Sequence, residues 1–279
     1  MRGTVGAPRI FSSYALVLSH CGRSSDSGGY YGHIRLAQHL RIAIHGTVRR
    51  FGVDINRIPS DRWLRRMPIR TVLDVGANTG QFAHLARRLF PTSQIYSFEP
   101  LEDCFSEMRR AFRTDPLWRG YQCALGAVES EGLFHRSAYS PSSSVLAMAD
   151  LHREAFPQTV GGRNEQVRIH RLDDILAGVE LAPDVLVKLD VQGFEDRVLD
   201  GATSVLAKTQ VVISEVSFDR LYHAQASFDD IYGRLRQAGF AFHGTWAQLL
   251  HPADGRILQA DAIFLRDADF NDGRADRPI

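Results

Sequence analysis

Lysine is almost missing from this sequence of 279 residues. Lys188 and Lys208 are its only lysines, so arginine supplies nearly all of the 33 basic side chains. The acidic side chains balance them to a net charge of +1, which excludes a strong overall field that would attract nucleic acid. We therefore expect no nucleic-acid partner. No apolar run approaches the ~18 residues that span a bilayer, so no transmembrane segment is predicted.

Cysteine is scarce as well. Cys21, Cys104 and Cys123 are odd in number and far apart, so they fit neither a disulfide framework nor a metal-binding pattern. A reducing, cytoplasmic setting is therefore the simplest expectation. Residues 10–18 form a short apolar stretch after two arginines, but no small-residue cleavage site follows it, and we do not predict a secretion signal.

The composition divides the chain into segments. Residues 1–30 contain the linker-like stretch "GRSSDSGG" and are predicted to be disordered. Residues 31–67 begin with apolar positions at helical spacing and predict a helical extension, which packs on the main domain or lies on a membrane surface. The main domain is predicted over 68–267, with an insertion at about 130–172, and residues 268–279 are predicted to form a loose polar tail.

Strands and helices alternate from about residue 70. The strand segments include "RTVLDVG", "QIYSFEP", "YQCALGA", "VLVKLD" and "VVISEVS", and one of the intervening helices is predicted over 194–207. This alternation predicts an α/β fold with a mostly parallel sheet and helices on both faces. The insertion predicts a hairpin, "GLFHRSA" with "QVRIHRL", plus a loop. The last strands, near "FAFHG" and "DAIFLR", predict an antiparallel hairpin at one edge.

The segment "VLDVGANTGQF" places a glycine turn between a strand and a helix. Asp74, Gly76, Asn78 and Gly80 form the pattern Asp-x-Gly-x-Asn-x-Gly, in which small residues admit a ligand and Asn78 can be left-handed. The next strand ends in Glu99, where an acid can bind both hydroxyls of a ribose. Because the spacing is not Gly-x-Gly-x-x-Gly, the turn favours a nucleoside without phosphates. S-adenosylmethionine is such a ligand, and Asp74 can engage its cationic methionine end.

These segments together resemble the FkbM family of S-adenosylmethionine-dependent methyltransferases. Between about residues 70 and 265 the resemblance rests on "VLDVGANTGQF", "YSFEP", "ALGA", "SSSV", "RLDDI", "VKLDVQGFEDRVLDGA", "SEVSF" and "DAIFL". It implies a class I methyltransferase (Rossmann-like) sheet, bound S-adenosylmethionine, and a hydroxyl acceptor on a sugar or natural product, which includes glycans and glycolipids. Many family members carry Glu at the position of Gln192, and Asp or Asn after "ALG". Because this sequence differs at both positions, the resemblance does not define the substrate.

The resemblance also implies how the cofactor is held. The adenine is expected near Ala124 and Leu125, and the ribose on Glu99. The glycine turn and the resemblance together give the predicted cofactor set, which is Asp74, Gly76, Ala77, Asn78, Gly80, Glu99, Pro100, Ala124 and Leu125.

The segment "VLVKLDVQGFE", residues 185–195, holds a lysine inside an apolar strand. Lysine is almost never fully buried unless it is paired. Lys188 and Asp190 point to the same face of the strand, and Glu215 reaches the same edge if its strand is a parallel neighbour. We therefore predict that this cation and these two carboxylates meet beside the methyl donor and form the catalytic group.

Three interpretations of this group stay open. In the first, Asp190 is a general base for the acceptor hydroxyl, although a nearby cation weakens a carboxylate base. In the second, Asp190 and Glu215 hold Mg²⁺ or Mn²⁺, which lowers the pKa of the hydroxyl. In the third, Lys188 and the two carboxylates form a structural ion-pair network that only shapes the pocket.

Other residues are candidates for the acceptor side. Ser143 and Ser144 lie in the insertion and are candidate lid or acceptor contacts, and His223 is a candidate pocket residue. Two other function classes remain open. The glycine spacing and the terminal hairpin argue against a nicotinamide-dependent oxidoreductase, and the intact acidic set argues against a non-catalytic module that binds the cofactor or a glycan. The sequence does not predict the oligomeric state.

Overall fold

The computed structural model describes residues 61–267. The predicted disordered segment 1–30, nearly all of the predicted extension over 31–67, and the predicted tail over 268–279 lie outside the described residues. Those three predictions therefore stay predictions. The described part of the chain corresponds to the predicted main domain, and it begins with a 3-10 turn at Leu64–Arg66.

Residues 61–267 form ten strands and seven α-helices. The strands are β1 (Thr71–Val75), β2 (Gln94–Phe98), β3 (Trp118–Tyr121), β4 (Ala124–Leu125), β5 (Ser130–Ser137), β6 (Gly162–His170), β7 (Val185–Leu189), β8 (Thr209–Ser217), β9 (Phe240–Leu250) and β10 (Ile257–Arg266). The helices are α1 (Gln81–Leu89), α2 (Glu102–Ala111), α3 (Asp150–Ala155), α4 (Leu172–Ile175), α5 (Glu195–Asp200), α6 (Thr203–Leu206) and α7 (Phe228–Gln237). Two further 3-10 turns are Ser140–Ser142 and Pro157–Thr159.

Seven strands form one sheet in the order β3-β2-β1-β7-β8-β10-β9. The first five are parallel neighbours, whereas β10 runs antiparallel to both β8 and β9. The predicted mostly parallel sheet with a C-terminal antiparallel hairpin is confirmed. The chain order reverses between β1 and β7, and in open α/β sheets ligands bind at such a switch point, beyond the carboxyl ends of the strands.

The central strands are buried along their whole length. Every residue of β1 and β7 is buried, and this includes the charged residues Asp74 and Lys188. On α1 the buried residues Phe82, Ala86 and Leu89 recur at helical spacing and turn one face of the helix to the core. Burial of each large apolar side chain contributes roughly 1.5–3 kcal/mol. No helix within residues 61–267 has the length and apolar character needed to cross a membrane.

The insertion forms a second sheet of three strands, in the order β4-β6-β5. β5 and β6 pair antiparallel, so the predicted hairpin is confirmed. The prediction of "YQCALGA" as one strand is wrong, because Trp118–Tyr121 pairs with β2 whereas Ala124–Leu125 pairs with β6. The chain therefore leaves the main sheet between these two strands and enters the insertion sheet.

The predicted helix over 194–207 is also wrong as a single element, since the chain forms α5 and α6 there. Gly201 separates them and lies against another backbone segment, because a Cβ at this position would lie 2.0 Å from the carbonyl oxygen of Gly126. At the start of helix α6 a distant carboxylate accepts two free amides, since Ser204 donates to Asp173 Oδ2 at 2.9 Å and Val205 donates to Asp173 Oδ1 at 3.0 Å.

Candidate active site

The turn after β1 has the left-handed backbone that its sequence predicts. Asn78 has a φ of 47°, and Gly76 and Gly80 have φ values of 78° and 90°. Asparagine tolerates this region and glycine adopts it freely. The amides of Gly76 and Ala77 both donate to the Phe98 carbonyl at 3.0 Å, which ties the turn to the end of β2. A backbone turn of small residues therefore lies at the carboxyl ends of β1 and β2.

Gly76 also brings two strand ends together. A Cβ at this position would lie 1.9 Å from the carbonyl oxygen of Asp190, so no larger residue fits. On the same edge the Asp190 amide donates to the Val75 carbonyl at 3.0 Å. The predicted cofactor turn and the predicted catalytic segment thus meet at the switch point between β1 and β7.

Glu99 is buried just beyond β2 and braces the turn. Its Oε2 accepts the Asn78 amide at 2.8 Å, and its Oε1 accepts the Leu101 amide at 2.9 Å. Burial raises the pKa of Glu99 to about 7, although the two backbone hydrogen bonds lower it. Each carboxylate oxygen keeps a lone pair for one more donor. The side chain can therefore accept hydrogen bonds from ribose hydroxyls while it holds the turn.

Asp74 is the buried carboxyl on β1 next to this turn. It is only 1% exposed, and its Oδ2 has no hydrogen-bond partner among residues 61–267. Burial raises the pKa of Asp74 to about 7, although the charge of Lys188 lowers it. A buried oxygen without a donor destabilises the fold unless a ligand supplies one. A cationic amino group is such a donor, so Asp74 fits the methionine end of S-adenosylmethionine.

The other predicted cofactor residues lie at or near the same edge. Ala77 is buried within the turn, and Pro100 follows Glu99 and is half-buried. Ala124 and Leu125 are buried in β4, which belongs to the insertion sheet. The insertion, and not the main sheet, therefore determines the position of the two residues expected near the adenine.

The insertion reaches the cofactor turn through Ser140, which the sequence analysis did not single out. Asn78 Nδ2 donates to Ser140 Oγ at 3.2 Å. The predicted contacts Ser143 and Ser144 are both buried, and their hydroxyls bond to backbone groups. Ser143 Oγ accepts a β5 amide at 3.0 Å, and Ser144 Oγ donates to the Gln192 carbonyl at 2.8 Å. These two hydroxyls therefore support the loop, and their contact with an acceptor stays a prediction.

Lys188 is fully buried and paired, which explains how a core strand tolerates it. Its Nζ lies 3.0 Å from Asp261 Oδ1 on β10 and 3.4 Å from Asp190 Oδ2. It also donates to the Leu189 carbonyl at 3.3 Å. The predicted pairing with Asp190 is present, but the nearer carboxylate, Asp261, was missed. A buried ammonium with two carboxylate neighbours meets the condition under which such a charge is tolerated.

An amide joins Asp190 to Glu215. Gln192 Nε2 lies 2.8 Å from Asp190 Oδ1 and 2.8 Å from Glu215 Oε2. The other end of the amide, Oε1, accepts the Tyr222 hydroxyl at 2.7 Å. Gln259 Nε2 adds a second donor to Glu215 Oε2 at 3.0 Å. Lys188, Asp190 and Glu215 lie close enough that the charges of Lys188 and Asp190 both act on Glu215, and Gln192 joins the two carboxylates; the catalytic role of the three stays a prediction.

Part of this network had a signal in the sequence. Gln259 and Asp261 are polar residues in the apolar strand "ILQADAIFLR", and their spacing of two puts them on one face. Because β10 is antiparallel to β8, Asp261 pairs directly with Glu215. Tyr222 had a weaker signal, since it lies in a loop beside the predicted pocket residue His223. Tyr222 is fully buried in the network, whereas His223 is exposed.

Glu215 and the phenol of Tyr222 are two ionisable groups of this network. Burial, followed by the negative charges of Asp190 and Glu195, raises the pKa of Glu215 well above its usual range, while Lys188 lowers it. Burial also raises the pKa of Tyr222 well above its usual range, so the phenol stays protonated and can donate to Gln192. Two carboxylates on one amide oppose each other's ionisation. Glu215 therefore holds a proton more readily than an ordinary glutamate does.

Glu195 fixes the turn that carries Gln192. Its Oε1 accepts the amides of Val191 at 3.0 Å and Gly193 at 3.2 Å. Gln192 and Gly193 have φ values of 57° and 96°, so both residues of the turn are left-handed. Burial raises the pKa of Glu195 to about 7, and its backbone hydrogen bonds lower it. The role of Glu195 is thus to hold the backbone of the turn.

The metal interpretation gains no support from the described residues. Within residues 61–267, no group of three or more His, Cys, Asp and Glu side chains is arranged to hold a metal ion. The amide of Gln192 lies between Asp190 and Glu215 and turns its hydrogens toward both. An N–H donor repels a cation, so a bridging ion would have to displace this side chain.

The strand order, the glycine turn and the acid beyond β2 together define a class I, S-adenosylmethionine-dependent methyltransferase. The chain belongs to the FkbM methyltransferase family, since the family model described as "Methyltransferase FkbM domain" matches residues 74–242. The predicted family, fold class and enzyme class are confirmed. The family and the fold imply S-adenosylmethionine as the cofactor.

Curated relatives support this assignment. The chain is 25% identical over 205 residues to the 2-O-methyltransferase NoeI of Sinorhizobium fredii, which covers 68% of this chain and 84% of that protein. It is 26% identical over 200 residues to the 31-O-demethyl-FK506 methyltransferase FkbM of Streptomyces tacrolimicus, which covers 62% of this chain and 73% of that protein. Among solved structures, an rRNA methylase from Streptococcus thermophilus is 12% identical, with a TM-score of 0.40 over 77% of this chain and 99% of its own. That structural likeness is too loose to carry an argument.

Proposed function

We propose that this protein transfers the methyl group of S-adenosylmethionine to a hydroxyl on a sugar or a glycosylated metabolite, with Asp190 as the general base. The observation that carries the proposal is the position of Asp190. Its backbone packs on the cofactor turn at Gly76, and its side chain is 37% exposed beside the fully buried Lys188. Because its backbone is fixed against the cofactor turn and its side chain is partly exposed to solvent, Asp190 can contact both a bound cofactor and an acceptor.

The relatives support oxygen as the methylated atom. One is named a 2-O-methyltransferase, and the other is named for a 31-O-demethyl substrate. Both names describe transfer to oxygen. We carry over the reaction type, and we propose the sugar or glycosylated acceptor as its substrate class.

The chain's own residues can hold the cofactor. S-adenosylmethionine, when bound, supplies an electrophilic methyl group on a sulfonium centre. Asp74 would accept a hydrogen bond from the amino group at the methionine end, because its Oδ2 has no other donor within residues 61–267. Glu99 would accept the ribose hydroxyls. The small residues of the turn, with Ala124 and Leu125 of β4, would leave room for the adenosine part.

Asp190 would then take the proton of the acceptor hydroxyl at Oδ2. This oxygen lies 3.4 Å from Lys188, which is a loose contact, whereas Asp261 lies at 3.0 Å from the same ammonium. Lys188 therefore interacts with two carboxylates and more closely with Asp261. Its effect on the basicity of Asp190 is smaller than it would be if Asp190 were its only partner. A well-placed general base contributes about 10²–10⁴ in rate, and alignment of the reacting groups contributes the rest.

A radiolabelled methyl-transfer assay tests the proposal. Purified protein is incubated with methyl-labelled S-adenosylmethionine and a panel of sugars, glycolipids and hydroxylated metabolites, and the methylated atom of any product is identified. Calorimetry with S-adenosylhomocysteine and with NAD separates the main rival. Transfer to oxygen supports the proposal. Tight NAD binding without a response to S-adenosylhomocysteine would favour an oxidoreductase instead.

A further inference from the structure

We propose that Gln192, oriented by Tyr222, is a positioning residue that holds Asp190 and Glu215 together as one unit and ties this unit to the insertion. The inference rests on the proposed function, because it takes Asp190 as the base. Three features of the molecule carry it: the hydrogen bonds of the amide, the backbone of the turn, and the contacts of Tyr222.

The amide of Gln192 has one orientation that satisfies all its neighbours. Its nitrogen faces a carboxylate oxygen of Asp190 and one of Glu215, each at 2.8 Å, and an ionised carboxylate can only accept. Both N–H groups are therefore committed. Its oxygen faces the Tyr222 hydroxyl at 2.7 Å, and that hydroxyl can donate. In the reverse orientation the amide oxygen would face both carboxyl groups and could not stabilise either of them once it is ionised, so the orientation in the structure is the one that serves the ionised pair.

The backbone at this position is held against its own preference. Gln192 has a φ of 57°, a left-handed region that residues with a side chain rarely adopt. The hydroxyl of Ser144 holds the Gln192 carbonyl at 2.8 Å, and Glu195 holds the amides on either side of it. Strain of this kind persists where surrounding contacts fix it, and such places cluster at functional sites. The turn thus aims the amide between the two carboxylates.

Tyr222 connects the amide to the insertion. Its side chain is fully buried, and its hydroxyl lies 3.1 Å from the Ser142 carbonyl as well as 2.7 Å from Gln192 Oε1. Its ring packs edge-on against His152 of α3, with ring centroids 5.1 Å apart. Ser142 and His152 both belong to the insertion. A displacement of the insertion would therefore move the phenol that orients Gln192, and the geometry of the carboxylate pair would change with it.

The titration of the Glu215 carboxyl measures this role directly and needs no acceptor. The charged groups that face Glu215 are Asp190 and Glu195 on the turn and its helix, Lys188 on β7 and Asp261 on β10, with the phenol of Tyr222 beside them. Gln192→Met keeps all of these and the unbranched length of the side chain, but it removes the shared N–H donor. A carboxylate that loses a hydrogen bond becomes harder to ionise. We expect the Glu215 midpoint to move upward by about one pH unit.

Carbon-13 NMR of protein labelled at the glutamate carboxyls follows this titration, with Glu215→Gln to assign the signal. Gln248→Met is the matched control, because Gln248 is exposed on β9. Tyr222→Phe removes one hydroxyl and should shift the Glu215 midpoint in the same direction, and its control is Tyr232→Phe, at a side chain that is 39% exposed. If Gln192→Met does not fold, the pair of tyrosine variants carries the test.

Calorimetry with S-adenosylhomocysteine distinguishes a failure of the positioning role from a failure of the proposed function. Unchanged cofactor affinity in Gln192→Met and Tyr222→Phe, together with an upward shift of the Glu215 midpoint in both, supports the positioning role. A Glu215 midpoint equal to that of the wild type in either variant overturns it, whatever happens to stability. A wild-type protein that does not bind S-adenosylhomocysteine overturns the proposed function, and the NMR result then still reports whether the amide holds the pair.

Discussion

Lys188 Nζ lies nearer to Asp261 Oδ1, at 3.0 Å, than to Asp190 Oδ2, at 3.4 Å. The nearer carboxylate is 14% exposed and sits within β10, whereas Asp190 is 37% exposed at the end of β7. The two carboxylates therefore have different tasks. Asp261 anchors the buried ammonium inside the sheet, and Asp190 stays accessible at the edge where the cofactor turn lies.

Lys188→Met should destabilise the fold by roughly 3–5 kcal/mol, because it leaves the mostly buried Asp261 without its cation and removes the positive charge that acts on Glu215. The free energy of unfolding from urea denaturation measures this. Lys208→Met is the matched control, since the chain's other lysine is exposed and its removal should change stability by no more than about 0.5 kcal/mol. Equal stability of the two variants would mean that the pairing of Lys188 contributes nothing to the fold.

The sequence was sufficient to predict those features that depend on local pattern. The glycine turn with a left-handed Asn78, the acid at Glu99 and the burial of Lys188 follow from residue type and from position on a strand. Strand and helix alternation predicted the parallel sheet, and the sheet then fixed which strand ends meet. Each of these inferences needed only a few consecutive residues and a general rule of α/β folds.

The features that could not be predicted depend on contacts between distant segments. Asp261 reaches Lys188 because β10 enters beside β8 in the antiparallel direction, and nothing near residue 188 indicates this. Gln192 bridges two carboxylates only because Glu195 and Ser144 hold its backbone in a left-handed turn. The break at Gly201 likewise arises from close packing on another loop. Local propensity carries no information on such pairings.

Glu99→Ala should weaken binding of S-adenosylhomocysteine by roughly 1–3 kcal/mol, the cost of a charge-assisted contact to the ribose. The same substitution frees the amides of Asn78 and Leu101, so the turn should also loosen. Isothermal calorimetry measures the affinity. Glu107→Ala on the exposed side of α2 serves as the control. An unchanged affinity in Glu99→Ala would mean that the ribose lies elsewhere.

The insertion around residues 138–165 should exchange its amide hydrogens faster than the main sheet, and cofactor should slow the exchange near Ser140. The physical reason is its polar composition and its contact with the cofactor turn, where Asn78 Nδ2 donates to Ser140 Oγ at 3.2 Å. Hydrogen exchange with and without S-adenosylhomocysteine measures both effects. Strong protection of this segment in the free protein would argue against a lid over the acceptor.

Asp190→Asn should leave the affinity for S-adenosylhomocysteine nearly intact and lower turnover by ~10²-fold or more, because it keeps the shape and removes the base. Steady-state methyl transfer with the acceptor found in the panel measures the rate. Asp229→Asn, at an exposed position on α7, is the control.

Treatment of the wild type with EDTA distinguishes a general base from a metal site, since a loss of activity that magnesium or manganese restores would favour a cation at Asp190 and Glu215. Normal turnover in Asp190→Asn would mean that Lys188, Asp190 and Glu215 have only a structural role.

The affinity for S-adenosylhomocysteine should rise with pH through the range in which Asp74 ionises. Burial raises the pKa of Asp74 to about 7 in the free protein, so the carboxyl is largely protonated below that value. A bound amino group favours the ionised form and lowers this pKa, so binding releases a proton and acid opposes it. Calorimetry between about pH 5.5 and about pH 7.5, in buffers of different ionisation enthalpy, measures the slope and the protons released. Asp74→Asn should bind more weakly at the upper end and with a flatter slope, the remainder coming from Glu99, whose pKa is also raised to about 7. A variant as pH-dependent as the wild type would show that Asp74 does not meet the cationic end of the cofactor.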